Sequence, residues 1–442
     1  MVKDKGFKYV YDKLIENGFK AYLVGGAVRD YLLKRKCYDL DVATSALPEQ
    51  ILAVFETEKK VLTGLKHGTV GIIVYGKNYE VTTFRQDGEY NDFRHPSDVN
   101  FVSDLKTDLS RRDFTINAMA YSETEGVIDY FNGQEDLKNK LIRCVFNPYD
   151  RFKEDALRLM RALRFSSQLS FAVESKTAQA ILDEKNLINN IAVERILTEL
   201  FKLLCGNNVF DVLMKFKDFF AEIIPELKPC FGFDQKSVFH SFDVYEHIIK
   251  SVSLAKKDKT VRLALLLHDI GKPQCFTVDD LGRGHFYGHP KKSVEIAKNV
   301  LKRLKVDKET YFTVIKLIER HDDVLEENSV AVKKALRDLG EKKFLLLLDL
   351  QEADAKAHSK RAIHKRLKHI LALRSILASV KRENKCYSLK KLAVNGTDLR
   401  EKFSDGKDVG EALNYLLDAV IEEKVKNEKG ELLNYLDERI RK

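Results

Sequence analysis

The sequence predicts an α+β protein, with a head built on one mixed sheet of about five strands and an all-α remainder. Two observations predict this class. In the first 145 residues, short β-branched runs bounded by Gly, Asp or Asn alternate with helical patterns. From about Pro148 to the end, apolar residues recur at the i, i+3, i+4 and i+7 spacing of amphipathic helices.

Five runs in the head have the length and composition of strands. They are AYLVGG, YDLDVAT, TVGIIVYG, YEVTTFR and GVIDYF. The intervening runs AVRDYLLKRK and PEQILAVFETEK have helical periodicity. Strands interleaved with helices indicate an α/β or α+β domain with a single sheet.

The rest of the chain is predicted to be almost entirely helical. Its clearest amphipathic runs are DALRLMRALRFSSQL, AVERILTELFKLL, FDVYEHIIKSVSLA and VRLALLLHDI. Turns are expected near Pro225, Pro229 and GRGHFYGHP. We therefore predict four parts: a head at 1–145, a helical neck and body at 146–236, a helical histidine-rich domain at 237–365, and a helical tail at 366–442.

Length and composition are those of an ordinary globular protein. At about 150 residues per domain, 442 residues correspond to two or three domains. With 44% hydrophobic and 32% charged residues, the disordered, collagen-like and membrane classes are excluded. The N-terminal residues carry charges throughout and resemble no signal peptide, so a cytoplasmic protein is expected. Six cysteines without a CxxC pair indicate reduced, structural thiols.

The net charge of +9 is unevenly distributed. Residues 1–150 carry −2, whereas 237–365 carry +6 and 366–442 carry +4. The densest stretch, Lys356 to Lys385, has ten Lys or Arg and one acid, Glu383. A charge run usually marks a solvated helix face, but clustered basic side chains are also what a nucleic-acid backbone requires.

A Gly25-Gly26 turn, a helix and an Asp39-x-Asp41 pair follow the first strand. Carboxylates at i and i+2 on a strand point to the same side, where they can share divalent ions. The glycines let backbone amides approach phosphate oxygens. Glu80, in the middle of NYEVTTFR, is expected to be a third carboxylate on an adjacent strand. Three acids around two Mg²⁺ ions suit attack of a hydroxyl on an α-phosphate.

Alone, a Gly-Gly turn or an Asp-x-Asp pair is more often an ordinary turn. Beginning with GGAVRD and YDLDVAT, however, the chain resembles the polymerase-β-type nucleotidyltransferases, specifically the bacterial class of CCA-adding enzymes and poly(A) polymerases. The similarity covers about residues 20–200 and continues in order through LKHGTVGI, EVTTFRQDGEYNDFRHPSDVNFVSDLKTDLSRRDFTINAMAY, IDYFNGQEDLKNKLIR, RFKEDALRLMRALRFSSQLSF and VERILTEL.

This resemblance implies a polymerase-β-like head that holds Mg²⁺ at Asp39, Asp41 and Glu80, with CTP and ATP as substrates. It also implies that the helical arm binds tRNA, and it implies no membrane or protein partner. Nucleotide binding is implied for a larger set: Gly25, Gly26, Arg29, Arg111, Arg112, Asp113, Asn117, Glu154, Asp155, Arg158 and Arg161.

The motif RRDFTINAMA has suitable chemistry for these roles. Arg111 and Arg112 offer guanidinium groups to triphosphate or ribose oxygens. Asp113 and Asn117 can hydrogen-bond ribose hydroxyls, which would distinguish NTP from dNTP.

The motif EDALR is expected to select the base. Glu154, Asp155 and Arg158 are predicted to lie within one helical turn. There a carboxylate and a guanidinium would match the edge of cytosine, or of adenine in a shifted arrangement. In the resembling family this motif selects CTP and ATP without a nucleic-acid template.

Two further segments carry expectations. The polar stretch from Arg85 to Asn100 is predicted to be a mobile loop between two strands. In the family, loss of this loop accompanies enzymes that add only CC, so its presence favours addition of the terminal A. In VERILTEL, the side chains of Glu194, Arg195 and Glu199 are expected to stabilise the helical neck.

A second constellation lies in the histidine-rich part. Imidazoles and carboxylates on separate helices are predicted to converge on one or two divalent metals that activate water against a phosphate ester. The ordered series is His247, His268, Asp269, His289, His321 and Asp354. It resembles the HD metal-dependent phosphohydrolase domain, in its HDIG form, over about residues 237–360.

His247, His268, Asp269 and Asp354 match the minimal ligand set of that domain. His289 and His321 would complete a second metal site, and His240 is an alternative first ligand. Ni²⁺, Mn²⁺ and Mg²⁺ are the candidate ions. The resemblance implies phosphatase or phosphodiesterase activity, such as removal of a 2′,3′-cyclic phosphate from a damaged tRNA end.

Three functions follow from these patterns. The first is addition of CMP, CMP and AMP to tRNA 3′ ends, with release of pyrophosphate. The second is an enzyme that adds only A, or a poly(A) polymerase; the poly(A) alternative is disfavoured because LTGLKHGTVGI and the polar loop resemble the tRNA-acting branch. The third is an HD phosphohydrolase with a non-catalytic head, which is disfavoured because all three head carboxylates are present.

Overall fold

The computed structural model describes residues 4–37, 39–88, 99–236, 242–358, 360–400, 402–403 and 405–440. The chain forms two compact units, Met1–Pro225 and Glu226–Lys442. The finer division into four parts stays a prediction. Among the described residues, no two cysteines form a disulfide, and no helix combines the length and apolar character needed to cross a membrane.

The described residues form thirteen strands. They are β1 (Ala21–Val24), β2 (Asp41–Thr44), β3 (Lys59–Val61), β4 (Thr69–Val74), β5 (Lys77–Thr83), β6 (Arg85–Asp87), β7 (Val99–Phe101), β8 (Met119–Ser122), β9 (Gly126–Asp129), β10 (Leu141–Ile142), β11 (Ala172–Val173), β12 (Thr277–Val278) and β13 (Gly284–His285).

The first unit contains eleven α-helices within its described residues. They are α1 (Lys5–Glu16), α2 (Gly26–Leu32), α3 (Pro48–Val54), α4 (Leu105–Ser110), α5 (Gly133–Lys138), α6 (Pro148–Glu154), α7 (Leu157–Leu169), α8 (Ser175–Asp183), α9 (Val193–Leu204), α10 (Val209–Lys215) and α11 (Lys217–Ile223).

The second unit contains nine α-helices within its described residues. They are α12 (Val244–Leu254), α13 (Lys259–Leu267), α14 (His289–Arg303), α15 (Lys308–Arg320), α16 (Ser329–Ala357), α17 (Lys360–Arg382), α18 (Gly396–Leu399), α19 (Gly406–Ile421) and α20 (Lys429–Ile440).

Seven strands of the head form one mixed sheet in the order β3-β4-β5-β2-β1-β8-β9. The β2–β5 pair is parallel, and the other neighbours are antiparallel. The predicted α+β class and mixed sheet are confirmed, with the five predicted strands at β1, β2, β4, β5 and β9. The strands missed are β3, a short edge strand whose KKV sequence carries two lysines, and β8.

The sheet is stabilised by apolar residues on both faces. On one face, Tyr22, Val24 and Ala43 pack with Leu105 and Leu109 of α4. The alternate strand residues, such as Leu23 and Val42, are also fully buried. A strand with two buried faces carries few polar side chains, so the acid at the start of β2 is conspicuous.

In the second unit, α12, α13, α15 and α16 pack against one another, and α17 packs along α16. The helix α16 is interrupted at Gly340, whose φ of 72° and ψ of 159° are not helical. Its first half pairs with the region after α19, because Lys333 lies 3.1 Å from Glu423 and Lys334 lies 2.7 Å from Glu422. Its second half ends beside the histidine-rich core.

Candidate functional site

A cavity of about 470 Å³ in the first unit collects most of the predicted nucleotide-binding residues. We call it the head cavity. The predicted residues that line it are Gly25, Gly26, Arg29, Asp41, Arg111, Arg112, Asp113, Asn117, Asp155, Arg158 and Arg161. Arg85, Arg164 and Phe165 also line it and were not predicted. Asp39, Glu80 and Glu154 are not part of its lining.

At one wall of the head cavity, the turn after β1 lies against an arginine. Gly25 has a φ of 70°, and a Cβ there would lie 2.8 Å from Nη1 of Arg112. The positive φ favours glycine here, and any larger residue would also displace the end of the Arg112 side chain. Arg112 and Arg111 both pair with Asp108, at 3.5 Å and 2.8 Å.

Asp108 is a buried residue that the sequence patterns did not single out. Burial alone would raise its pKa, but the guanidinium groups of Arg111 and Arg112 outweigh burial and lower that pKa. The charged carboxylate therefore holds both arginines in the wall of the cavity.

The predicted metal-binding acids lie on and just before two neighbouring strands. The parallel register pairs Val42 with Val81, so Asp41 and Glu80, one residue earlier on each strand, lie side by side. Glu80 is thus on the adjacent strand, as predicted, and Asp39 precedes β2. The side chains of Asp39 and Glu80 are exposed, whereas Asp41 is half-buried.

Burial and charge repulsion both act on Asp41. Burial and the nearby carboxylates of Glu80 and Asp39 raise its pKa to about 6, although Arg112 opposes the shift. Carboxylates held close enough to repel one another in this way are suited to a divalent cation with oxygen ligands. The donor set therefore fits Mg²⁺.

Asp113 is the centre of a buried polar network. Its Oδ2 accepts hydrogen bonds from Nε and Nη2 of Arg161 at 2.8 Å and 2.6 Å. Its Oδ1 accepts from Nδ2 of Asn117 at 3.0 Å, and Asn117 Oδ1 accepts from Arg29 at 2.8 Å. Burial alone would raise the pKa of Asp113, but Arg161 and Asn117 outweigh burial and hold it at about 2.

The prediction that Glu154, Asp155 and Arg158 lie in one turn of a single helix is wrong. Glu154 is the last residue of α6, Asp155 is extended with φ −136° and ψ 102°, and α7 begins at Leu157. The Asp155 side chain instead accepts a hydrogen bond from the backbone N–H of Leu157 at 3.1 Å. This local turn replaces the helical bond and aims Asp155 into the cavity beside Arg158.

Glu154 has a supporting position rather than a place in the cavity wall. Its Oε2 accepts from Nη1 of Arg158 at 2.6 Å, and Arg151 pairs with its other oxygen. Arg158 Nη2 also donates to the backbone oxygen of Arg111 at 3.0 Å. The guanidinium is therefore fixed between Glu154 and the backbone of Arg111.

Phe165 and Arg164 are cavity residues that the sequence reasoning missed. The guanidinium carbon of Arg164 lies 3.7 Å from the centroid of the Phe165 ring, and those of Arg29 and Arg161 lie 5.0 Å and 5.4 Å away. The i, i+3 and i+4 spacing of Arg161, Arg164 and Phe165 on α7 is the signal that could have found them.

The motif VERILTEL supports the cavity from α9. Glu199 is buried, and its Oε2 lies 2.5 Å from Nε of Arg164. Arg195 Nη2 lies 3.6 Å from Oδ2 of Asp155. The predicted stabilising role of this motif therefore extends to two residues that line the cavity.

The ends of the predicted polar loop form strands. Arg85–Asp87 pairs antiparallel with Val99–Phe101. Residues 89–98 lie outside the described residues, so the loop's mobility stays a prediction.

In the second unit, the six predicted metal ligands converge. Together we call His247, His268, Asp269, His289, His321 and Asp354 the histidine cluster; all six are buried. Two overlapping sets have ligand atoms within 4.8 Å of one another: His247, His268 and Asp354, and His268, Asp269 and His321.

The imidazoles meet the two carboxylates through their Nε2 atoms. His247 Nε2 lies 2.9 Å from Oδ1 of Asp354, and His268 Nε2 lies 3.2 Å from Oδ2 of Asp269. The Nε2 atoms of His289 and His321 lie 3.2 Å and 3.6 Å from Oδ1 of Asp269. Burial lowers the pKa of His247 to about 4, which favours the neutral imidazole that binds metals.

Backbone carbonyls fix the orientation of three of these rings. Nδ1 lies 2.7 Å from Leu265 O in His268, 2.9 Å from Phe286 O in His289, and 2.7 Å from Ile318 O in His321. Because a carbonyl oxygen only accepts, Nδ1 carries a proton, and Nε2 is the ring nitrogen left for a metal. Burial alone would lower the pKa of His268, but Asp269 and Asp354 raise it to about 10, so a metal must displace the proton from its Nε2. Metal-binding histidines are oriented in this way, so the residues fit one or two divalent transition metals.

Three further residues that were not predicted contact the cluster. Lys272 Nζ lies 2.7 Å from Oδ2 of Asp269, and Arg366 Nη1 lies 2.9 Å from Oδ2 of Asp354. His358 Nδ1 lies 3.8 Å from Oδ1 of Asp354. Lys272, at i+3 from Asp269, could have been found from spacing. His240, the alternative ligand, lies outside the described residues.

A structural comparison decides the family. A crystal structure of Bacillus stearothermophilus CCA-adding enzyme in complex with CTP is 31% identical to this chain, with a TM-score of 0.74, covering 99% of this chain and 98% of that one. The chain belongs to the family of CCA-adding enzymes. A Thermotoga maritima CCA-adding enzyme complexed with tRNA has the same fold at 20% identity and a TM-score of 0.58, covering 98% and 94% of the two chains.

Sequence comparisons agree with this assignment to the CCA-adding enzymes. The chain is 50% identical over 220 residues to the CCA-adding enzyme of Lactobacillus delbrueckii, and 53% identical over 191 residues to that of Enterococcus faecalis. These matches span 50% and 43% of this chain, and 54% and 47% of those relatives. The chain therefore matches about half the length of its curated relatives.

Three family models match parts of the chain. They are the Poly A polymerase head domain at residues 21–143, the RNA and SrmB-binding site of polymerase A at 170–231, and tRNA nucleotidyltransferase domain 2 at 290–436. The first range contains the three acids and the arginine pair. Four predicted metal ligands lie between the second and third ranges: His247, His268, Asp269 and His289.

Proposed function

We propose that this protein is a CCA-adding tRNA nucleotidyltransferase, which adds CMP, CMP and AMP from CTP and ATP to tRNA 3′ ends. The head cavity carries this proposal, because it places a half-buried acid, a glycine turn and seven arginines around one nucleotide-sized space. The similar Bacillus enzyme binds CTP, and the Thermotoga enzyme of the same fold binds tRNA.

In this reaction the terminal tRNA hydroxyl attacks the α-phosphorus of the nucleotide. A new oxygen–phosphorus bond forms, the bond from the α-phosphorus to the bridging oxygen breaks, pyrophosphate leaves, and the hydroxyl proton passes to solvent. Asp39, Asp41 and Glu80 would hold Mg²⁺, which supplies a lowered hydroxyl pKa and neutralises phosphate charge. Arg111 and Arg112 would bind the triphosphate while Asp108 holds them in place.

Base selection is assigned to Asp155 and Arg158. A carboxylate accepts from the exocyclic amine shared by cytosine and adenine, and the guanidinium donates to a ring nitrogen or carbonyl. Glu154 fixes Arg158 from behind, at 2.6 Å. We place Arg161, Asp113 and Asn117 near the ribose, since they form the adjoining polar wall of the cavity. This activity also implies that the protein acts in the cytoplasm, where tRNA matures.

One assay tests the proposal against the alternatives. tRNA transcripts ending in the discriminator base, in C or in CC are incubated with CTP and ATP, singly and together. We expect the first transcript to gain CC with CTP alone and CCA with both nucleotides. Extension of only the CC transcript would indicate an A-adding enzyme, and repeated AMP addition to any RNA would indicate a poly(A) polymerase.

The histidine cluster favours a second activity, metal-dependent hydrolysis of a phosphate ester. The observation that favours it is the set of three imidazoles whose Nδ1 atoms are fixed by backbone carbonyls while their Nε2 atoms face two buried carboxylates. Ni²⁺, Mn²⁺ or Mg²⁺ bound there would supply a water of lowered pKa. Water adds its oxygen to phosphorus, the ester bond breaks, and the leaving oxygen takes a proton.

The test is release of a nucleoside monophosphate from a 2′,3′-cyclic nucleotide by the purified full chain with each metal. His268→Ala should abolish this release. His364→Ala, which removes an exposed histidine of α17, should leave it unchanged. Absence of turnover with every metal would contradict the second activity.

A further inference from the structure

A second cavity adjoins the one that opens onto the histidine cluster. The first has a volume of about 500 Å³ and contains Asp269, His289 and Asp354 in its lining. The second has a volume of about 550 Å³ and follows the start of α17. The two share His321, Asp322, Asp323, Asp354 and Arg366. Together they form one groove that begins at the cluster and continues along α17, and we call it the α17 groove.

One wall of the α17 groove carries cationic side chains at helical spacing. Lys365 and Lys368 are exposed on α17, and Arg366 between them reaches back to Asp354. All three line the second cavity. Residues three apart on a helix are neighbours on one face, so the two lysines can bind successive groups of one anion.

The acids of the opposite wall each have a basic side chain as a partner. Asp322 lies 3.4 Å from Nη2 of Arg366, Asp323 pairs with Arg320, and Glu327 lies 2.8 Å from Nδ1 of His369. A divalent cation at the cluster would add two further positive charges beside Asp354. Five carboxylates and four Lys or Arg side chains line the two cavities, so a bound divalent cation gives the groove a net charge of +1. Lys365 and Lys368 contribute to it from the α17 side.

The other end of the groove carries a planar aromatic surface. The rings of His285 and Tyr287 stack with centroids 5.3 Å apart and an interplanar angle of 7°. Tyr287 is 78% exposed, and both residues line the first cavity. Nε2 of His285 lies 3.1 Å from Oδ2 of Asp279, and this contact orients the imidazole ring. An exposed, oriented aromatic pair beside a phosphate-binding centre is suited to stacking with a base.

We propose that the α17 groove binds the 3′ end of an RNA strand rather than a free mononucleotide. The terminal phosphate lies at the histidine cluster, the terminal base stacks on Tyr287, and the preceding phosphates bind Lys365 and Lys368. This inference rests on the hydrolytic activity proposed for the cluster. The first cavity alone has the volume of a small-ligand site, so a mononucleotide would fill it. A longer strand also accounts for the second cavity and its lysines.

The first test is the dependence of hydrolysis on strand length. RNAs of one to four nucleotides ending in a 2′,3′-cyclic phosphate are given to the Mn²⁺-loaded full chain. We expect KM to fall about 10-fold or more from one to three nucleotides while kcat changes about 2-fold or less, since added phosphate contacts act on binding. Equal KM values at all lengths, with turnover present, would overturn the groove and leave the hydrolase standing.

Variants assign the length preference to α17. The double variant Lys365→Gln/Lys368→Gln should bring the KM for the trinucleotide close to that for the mononucleotide. The control Lys298→Gln/Lys302→Gln removes two exposed lysines from α14 and should keep the wild-type preference. Tyr287→Leu should raise KM about 10-fold for a base-bearing end but not for an abasic end. An unchanged length preference in the α17 variant would overturn the proposal.

A second measurement does not depend on turnover. A trinucleotide with 4-thiouridine at its penultimate position is photo-crosslinked to the Mn²⁺-loaded full chain, and the crosslinked peptide is sequenced. We expect crosslinks within Lys360–Arg382, reduced by the α17 double variant. Crosslinks confined to other segments would overturn the groove, whether or not hydrolysis is found. Crosslinks in α17 without turnover would remove the hydrolase and retain the RNA site.

Discussion

In the head, two of the three predicted metal-binding carboxylates are exposed, whereas all six residues of the histidine cluster are buried. Asp39 and Glu80 extend from separate backbone segments beside Asp41, and burial together with their repulsion raises the pKa of Asp41 to about 6. In the cluster, backbone carbonyls fix the rings of His268 and His321.

The head site and the histidine cluster are therefore ordered in different ways. Exposed carboxylates keep rotamer freedom, so we expect a bound ion and triphosphate to order the head site. Buried, hydrogen-bonded imidazoles have lost that freedom on folding, so the cluster is organised by the fold.

Asp41→Asn should reduce incorporation of CMP and AMP alike by at least about 10³-fold, because loss of metal-held charge costs several kcal/mol of transition-state stabilisation. Steady-state nucleotide incorporation on tRNA transcripts measures it. The variant should fold normally and keep any hydrolysis at the cluster, since Asp41 belongs to the other unit. Asp12→Asn, at a partly exposed position on α1, is the control. Selective loss of one nucleotide would contradict the shared metal role.

Metal binding should stabilise the second unit far more than the first. An ion at 100 times its dissociation constant stabilises a folded unit by about 2.7 kcal/mol, which corresponds to roughly 5–10 °C for a unit of this size. Calorimetry of the full chain with Mn²⁺ or Ni²⁺ checks the shift. It should disappear in Asp354→Asn and persist in Asp280→Asn, an exposed acid near the hairpin β12–β13. An equal shift in both variants would contradict a cluster organised for metal.

Arg158→Ala should mainly relax the choice between nucleotides, by about 10-fold in the ratio of kcat/KM values, because one charged hydrogen bond to the base is lost. Competition of CTP, ATP, UTP and GTP on defined transcripts measures it. Arg143→Ala, which removes a half-exposed arginine outside the cavity, should retain wild-type selectivity. A uniform loss of rate, as in Asp41→Asn, would count against a template role for Arg158.

Phe165→Leu should have the smallest effect, a rise of a few-fold in KM for both CTP and ATP. The ring orders three guanidinium groups that line the cavity, and each contact of this type contributes about 0.5–1 kcal/mol. Nucleotide titration at saturating tRNA measures KM. Phe146→Leu, at an exposed ring, is the control. A fall in kcat with unchanged KM would show that Phe165 acts on chemistry instead.

Much of this fold was predictable from local pattern. The β-branched runs located β1, β2, β4, β5 and β9, because strands packed within a sheet favour β-branched and aromatic residues. The lysine-rich β3 was missed, since an edge strand needs little apolar surface. The break at Asp155 was also missed, because neither Gly nor Pro marks it; an Asp side chain that bonds the backbone of Leu157 ends the helix instead.

Most residues of the two sites could be predicted from the sequence, but the contacts that hold them in place could not. The resemblance named all six residues that converge in the histidine cluster, because it fixes their order in the chain. It did not identify Arg366, which reaches Asp354 because α17 packs along α16. It also did not identify Asp108, which pairs with Arg111 and Arg112. Such contacts depend on tertiary structure, and no local pattern records them.

The break at Gly340 also governs how this protein tolerates changes in length. In an unbroken helix, one inserted residue rotates everything beyond it by about 100°, which would turn Asp354 out of the cluster. At Gly340 the chain leaves the helical conformation, so the phase of residues 341–357 is reset independently of the preceding turns. We therefore expect an insertion beside this glycine to change the segment that meets α19 while Asp354 keeps its position in the cluster.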